Sequence, residues 1–210
     1  MIIYSLISHM LLTKLHIPPA GNNIVHRSEL FEKLNSGLNR KLILVSAPAG
    51  YGKTSLLSDW IKQNKIPVAW LSLDNGDNDP AVFLNYIISG IHSIHSDFGQ
   101  SALQLITSPS SPSVESIASL LINEILNINL NFLLVLDDFH LINSSEVSNL
   151  VSYFLEHIPG NIHIVILTRS DPALSVSRLR SQNQLVELRS SDLSFSANEI
   201  SILFNKKLKL

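Results

Sequence analysis

The chain contains no cysteine, and of its 210 residues only 7% are aromatic and 15% charged. Without thiols there is no disulfide framework and no cysteine-ligated zinc or iron–sulfur site; this fits a reducing compartment, and a cytoplasmic location is expected. Charge is scarce and balanced, 15 Lys and Arg against 17 Asp and Glu, so no strong field draws nucleic acid, and direct DNA binding by this chain is not expected. Long apolar runs are missing as well. Met1–Leu12 is apolar but shorter than the roughly 20 residues that span a bilayer, and it lacks the basic start and cleavage site of a secretory signal. No membrane partner is expected.

Aliphatic residues are abundant. The hydrophobic content of 45% supports one substantial core, and the length favours one globular unit.

The most informative stretch is Ala47-Pro48-Ala49-Gly50-Tyr51-Gly52-Lys53-Thr54. Backbone N–H groups in such a glycine-rich turn converge on a phosphate, the lysine reaches the outer phosphates, and the threonine hydroxyl sits on magnesium. Alanine stands at the first position, where glycine is usual. The turn follows the β-branched and leucine run Lys41–Ser46 and precedes an amphipathic stretch from Lys53 to Asn64, with Leu56, Leu57, Trp60 and Ile61 on one face. Strand, loop and helix in that order place a phosphate at a helix N-terminus.

Further strands are expected at Val68–Leu73, Phe132–Leu136, Ile162–Leu167 and Leu185–Leu188. Helices are expected from Pro80 with Asp79 as cap, from Val114 to Ile128, from Asn143 as cap with Glu146 to Ile158, and after the Ser196/Glu199 capping box. The proline- and serine-bearing span 97–113 reads as a surface connection. Alternating strands and helices predict an α/β, three-layer P-loop NTPase fold with a five-stranded, mainly parallel sheet, whose ligands bind at the carboxyl ends of the strands.

A wholly apolar strand that delivers Asp137 and Asp138 suits a magnesium site: one carboxylate holds the hydrated metal, the other orients or deprotonates water. Arg169, after the next strand, is placed to sense a γ-phosphate. Arg178, Arg180 and Arg189 read as solvated. His92 and His95 lie one turn apart but lack a third metal ligand. No Asn-Lys-x-Asp guanine motif occurs, which favours adenine.

Thr13-Lys14-Leu15-His16-Ile17-Pro18-Pro19, Val25-His26-Arg27, the Ala47–Thr54 loop, Ala69-Trp70-Leu71-Ser72-Leu73-Asp74 with Asp77-Asn78-Asp79-Pro80, Leu134-Val135-Leu136-Asp137-Asp138-Phe139-His140, and Thr168-Arg169 with Asp171-Pro172 together resemble the N-terminal ATPase domain of MalT-type, large LuxR-family transcriptional regulators, within the STAND P-loop ATPases. The resemblance implies ATP and Mg²⁺ as ligands, ATP binding that gates inducer-dependent self-association, and slow hydrolysis that resets the state. It assigns the nucleotide to Ala49, Gly50, Tyr51, Gly52, Lys53, Thr54 and Ser55, the metal to Thr54 and Asp137, catalysis to Asp138 and sensing to Arg169. Val25 and Arg27 match the segment lining the adenine pocket. It also places the P-loop strand and the Asp137 strand on either side of the strand ending at Arg169.

The corresponding division is an N-terminal extension at 1–12, an adenine-pocket lead-in at 13–40 and the ATPase domain at 41–210. Family members continue through winged-helix, repeat and DNA-binding domains, so the chain reads as a fragment. Alternatives are a decayed interaction fragment without nucleotide turnover and a small-molecule kinase.

Overall fold

The computed structural model describes residues 10–21, 25–106, 112–197 and 199–201. Five strands, β1 (Leu42–Ser46), β2 (Val68–Ser72), β3 (Phe132–Asp137), β4 (Ile162–Thr168) and β5 (Leu185–Arg189), form one sheet in the order β2-β3-β4-β1-β5. All four pairings are parallel, and β4 lies between the P-loop strand and the Asp137 strand, as expected.

Parallel strands buried on both faces need no polar alternation, and β1, β3 and β4 are buried at every position. Successive side chains point to opposite faces. Leu42, Leu44, Leu134, Ile164 and Ile166 meet α3 (Pro80–His92), α5 (Val114–Leu126) and α6 (Ser145–His157) on one side. Ile43, Val45, Leu133, Val135 and Val165 meet α1 (Ser28–Ser36) and α2 (Lys53–Asn64) on the other, making the third layer. Trp60 and Trp70 are fully buried in that second cluster, their indole N–H groups donating to Asn35 and Ser72.

Register aligns the strand ends. Ser46 pairs with Thr168 and Arg189, and Ser72 with Asp137, so the loops after β1, β3 and β4 emerge together at one edge.

The structure adds four helices to the sequence reading. The lead-in contains α1, whose Leu30, Phe31 and Leu34 are buried. The span 97–113 carries α4 (Gln100–Ile106), with Ala102 and Leu103 in the core; its serine-rich portion at 107–111 lies outside the described residues. A short α7 (Ser177–Ser181) precedes β5, and α8 (Ser190–Leu193) follows it. One cap is corrected: Ser144, not Asn143, begins α6, its Oγ accepting from the N–H of Val147, so no Asn143–Glu146 box forms. The Asp79 cap and the Ser196/Glu199 box form as expected. Residues 1–9 of the N-terminal extension lie outside the described part.

Candidate functional site

The P-loop begins where β1 ends. The N–H of Ala47 donates to the carbonyl of Thr168, which ties the loop to the end of β4. Ala47 is buried among Val45 and Leu167, so a methyl is accommodated where glycine is usual. Gly50 and Gly52 have φ of +85° and +73°, the left-handed conformation that a side chain disfavours. Gly52 is the N-cap of α2, so the first N–H groups of this helix open onto the loop.

Lys53, nearly buried, folds its ammonium back over the loop and donates to the carbonyls of Ala47 and Pro48 at 2.7 and 3.1 Å. Burial, then the nearby Arg169 charge, pushes its pKa below the ordinary lysine value. Thr54, one residue on, donates its hydroxyl to Asp137 at 3.1 Å. Asp137 is 4% exposed. Burial and then the neighbouring Asp138 raise its pKa, against the opposing hydrogen bonds from the Asp138 N–H and Thr54 and the charge of Lys53.

Asp138 turns the chain sharply, with φ of +55°, and its half-exposed carboxylate lies 3.9 Å from the Arg169 guanidinium. His140 comes within 3.7 Å of the same carboxylate, and burial followed by the Arg169 charge lowers its pKa. Sequence reasoning gave His140 no role. Its only sequence signal is its position two residues after the acid.

Beside the P-loop is a cavity of about 530 Å³. Gly50, Tyr51, Gly52 and Ser55 form one wall; Val25, Phe31, Leu56, Leu193, Phe195 and Ile200 supply an apolar lining; Arg27, Asp59 and Ser194 complete it. Phe31, Asp59 and the wall formed by Leu193, Ser194, Phe195 and Ile200 were absent from the sequence reading of the site. The Leu30, Phe31, Leu34 spacing was the available helical signal for the first of them.

Arg27 lines this cavity, but its polar end is engaged elsewhere. It donates to the carbonyls of Asp192, Leu193 and Ser194 and to the Glu199 carboxylate, and it lies over the Phe195 ring. Ala49, at the exposed loop tip, does not line the cavity.

The two halves of the site therefore meet at α2: an apolar slot on one side, and Lys53, Thr54, Asp137, Asp138 and Arg169 on the other. Among the described residues no group of three or more His, Asp or Glu side chains is placed to hold a metal unaided. The Thr54 hydroxyl and Asp137 carboxylate fit a magnesium ion that takes its remaining oxygens from water and phosphate.

The arginines set aside as solvated are partly engaged. Arg180 forms a two-pronged pair with Glu187, and Arg189 pairs with Asp171 and Glu187, the Asp171 carboxylate also accepting from Ser46.

Comparison with known proteins places this arrangement. The HTH-type transcriptional regulator MalT of Klebsiella pneumoniae, in two strains, is 34% identical over 196 residues, covering 93% of this chain and 22% of MalT. In sequence the chain is MalT-like, and its fold is that of the P-loop ATPases. The MalT-like chain spans about a fifth of the curated relatives it matches. No protein-family profile matches it. Among solved structures, a signal transduction ATPase with numerous domains (STAND) carrying a tetratricopeptide-repeat sensor, from Pyrococcus horikoshii, superposes with a TM-score of 0.68 at 18% identity, covering 92% of this chain and 27% of the other. Cdc6p from Pyrobaculum aerophilum superposes with a TM-score of 0.58 at 17% identity, covering 95% and 54%. At such identities the likeness concerns the fold. No helix among the described residues is long and apolar enough to cross a membrane.

Proposed function

We propose that the chain is the ATP-binding switch module of a MalT-like regulator, binding Mg-ATP and hydrolysing it slowly or not at all in isolation. The observation that carries this reading is the 3.1 Å contact between Thr54, at the start of the P-loop helix, and Asp137, at the end of a strand two positions away in the sheet. A hydroxyl and a carboxylate converging beside a glycine-rich anion cradle are what a nucleotide-bound Mg²⁺ requires.

In this reading Ala49, Gly50, Tyr51, Gly52 and Ser55 surround the phosphates, and Lys53 leaves its loop carbonyls to reach them. Mg²⁺, when bound, neutralises developing phosphate charge. Asp138 orients a water, and Arg169, held near it, answers to the γ-phosphate. The apolar slot takes adenine between Val25, Phe31, Leu56 and Phe195. Nucleotide state governs self-association, and DNA contact falls to other parts of such a regulator.

Thermal melting with and without Mg-ATP tests the proposal. A ligand at a hundredfold its Kd stabilises by about 2.7 kcal/mol, a rise of roughly 5–10 °C. Lys53→Ala should abolish the rise. An unchanged melting curve for the unsubstituted chain at millimolar Mg-ATP overturns the reading.

A further inference from the structure

Asn78 ends the 3₁₀ turn Asn75–Asn78 after β2, and its side-chain amide is fully used. Nδ2 donates to the carbonyls of Asn75 at 3.1 Å and Leu141 at 3.0 Å, while Oδ1 accepts the N–H groups of Asn143 at 2.7 Å and Ser144 at 2.8 Å. Two donors and two acceptor sites are thus satisfied. Three of the four bonds reach the segment that joins Asp138 to α6.

The turn that carries Asn78 is itself anchored. Its Asp77 carboxylate is completely buried, takes two hydrogen bonds from the Lys14 ammonium at 2.5 and 2.7 Å, and accepts the N–H of Asp74. Lys14 in turn lies 4.3 Å over the Tyr86 ring. Asn78 therefore reaches across from a fixed platform.

What it grips is a strained corner. Asp138 holds a left-handed backbone at φ +55°, a conformation that a non-glycine residue keeps only where its surroundings impose it. Phe139–Leu141 then form a 3₁₀ turn whose Leu141 N–H returns to the Asp138 carbonyl. The Asn143 and Ser144 amides, which leave this turn, end on Asn78.

We infer that Asn78 is a positioning residue: through its bonds to Leu141, Asn143 and Ser144 it holds the Asp137–Asp138 corner in the geometry that nucleotide-bound Mg²⁺ needs. The inference rests on the nucleotide reading above and deepens it. Asn78 acts through the backbone and is not itself a ligand.

Two variants of the chain test it. Asn78→Ala removes all four bonds; Asn78→Asp keeps an oxygen for the two amides and loses the two donated bonds. Amide hydrogen exchange is measured without ligand, and ATP affinity is measured in Mg²⁺ and in EDTA. In Asn78→Ala, exchange at Asn143 and Ser144 rises, with a smaller rise in Asn78→Asp. The affinity gained from Mg²⁺ falls about tenfold in Asn78→Ala, as when a metal ligand loses its support, while affinity in EDTA stays unchanged. Unaltered exchange overturns the inference, as does faster exchange with the full Mg²⁺ gain retained. An equal loss in EDTA overturns it too, since the defect is then general. If the unsubstituted chain binds no ATP in either buffer, the nucleotide reading and the metal half of the inference fail, while exchange at the two amides still decides whether Asn78 holds the corner.

Discussion

The Arg27 guanidinium lies 4.9 Å from the centre of the Phe195 ring while donating to three carbonyls and one carboxylate of the 192–199 segment. One side chain from the lead-in therefore holds a wall of the cavity that the chain reaches only near its described end. Arg27→Ala releases Phe195 and leaves the Asp192, Leu193 and Ser194 carbonyls without this donor. The melting temperature should fall by about 5 °C, and ATP affinity should weaken equally in Mg²⁺ and in EDTA. Arg27→Lys should not restore either, because an ammonium cannot reproduce the planar fork. Calorimetry and equilibrium binding check both; a loss confined to Mg²⁺ conditions contradicts this account.

The raised pKa of Asp137 gives a pH dependence of definite sign. For an acid whose folded value lies above its ordinary 3.8, the stabilising contribution is complete below that ordinary value and is lost as pH rises through the folded one. Ionising Asp137 in the nucleotide-free chain therefore costs desolvation. Asp137→Asn should raise its melting temperature by a few degrees at the alkaline end of a pH series and by less at about pH 3–4, while removing the Mg²⁺-dependent part of the ATP-induced rise. A lowered melting temperature without ligand would contradict the burial argument.

Lys14 is buried against Asp77, which is itself fully enclosed. Lys14→Met leaves that carboxylate unpaired and should destabilise by about 3 kcal/mol. Adding Asp77→Asn should recover much of the loss, since an uncharged amide costs less to bury than an orphaned charge. Denaturant unfolding of the single and double variants measures the coupling; additive losses would mean that the pair contributes no mutual stabilisation.

Gly52 and Gly99 both have positive φ, yet their surroundings differ. Nothing lies within 4 Å of a methyl group added at Gly52, so Gly52→Ala should cost only the backbone penalty of about 1 kcal/mol. At Gly99 the added methyl collides with Cγ2 of Ile88, in the middle of a packed helix, and Gly99→Ala should cost about 3 kcal/mol. Denaturant midpoints rank the two; the reverse order would refute the packing argument.

Much of the fold was legible because β1, β3 and β4 are continuous apolar runs, a pattern that a sheet covered on both faces demands. Local rules also located the Asp79 cap and the Ser196/Glu199 box, whose bonds close within four residues. They misplaced the cap of α6 because Asn143 and Ser144 are adjacent and both good caps; in the fold the Ser144 hydroxyl accepts from the Val147 N–H, while the Asn143 side-chain amide donates to the Leu141 carbonyl. Helix α4 was missed because its core contacts, Ala102 and Leu103, sit in a short segment flanked by polar residues.

The amino-acid order alone determined which chemistry is present: a loop that needs glycine at positive φ, a lysine and threonine opening a helix, and two acids ending an apolar strand. These are properties of neighbours along the chain, governed by backbone sterics and side-chain periodicity. Which distant groups touch was decided only by folding. The register that sets Thr54 against Asp137, the reach of Arg27 to the 192–199 segment and the grip of Asn78 beyond Asp138 all come from packing two helical layers on one twisted sheet, because burial of the apolar faces positions polar groups whose partners no local pattern encodes.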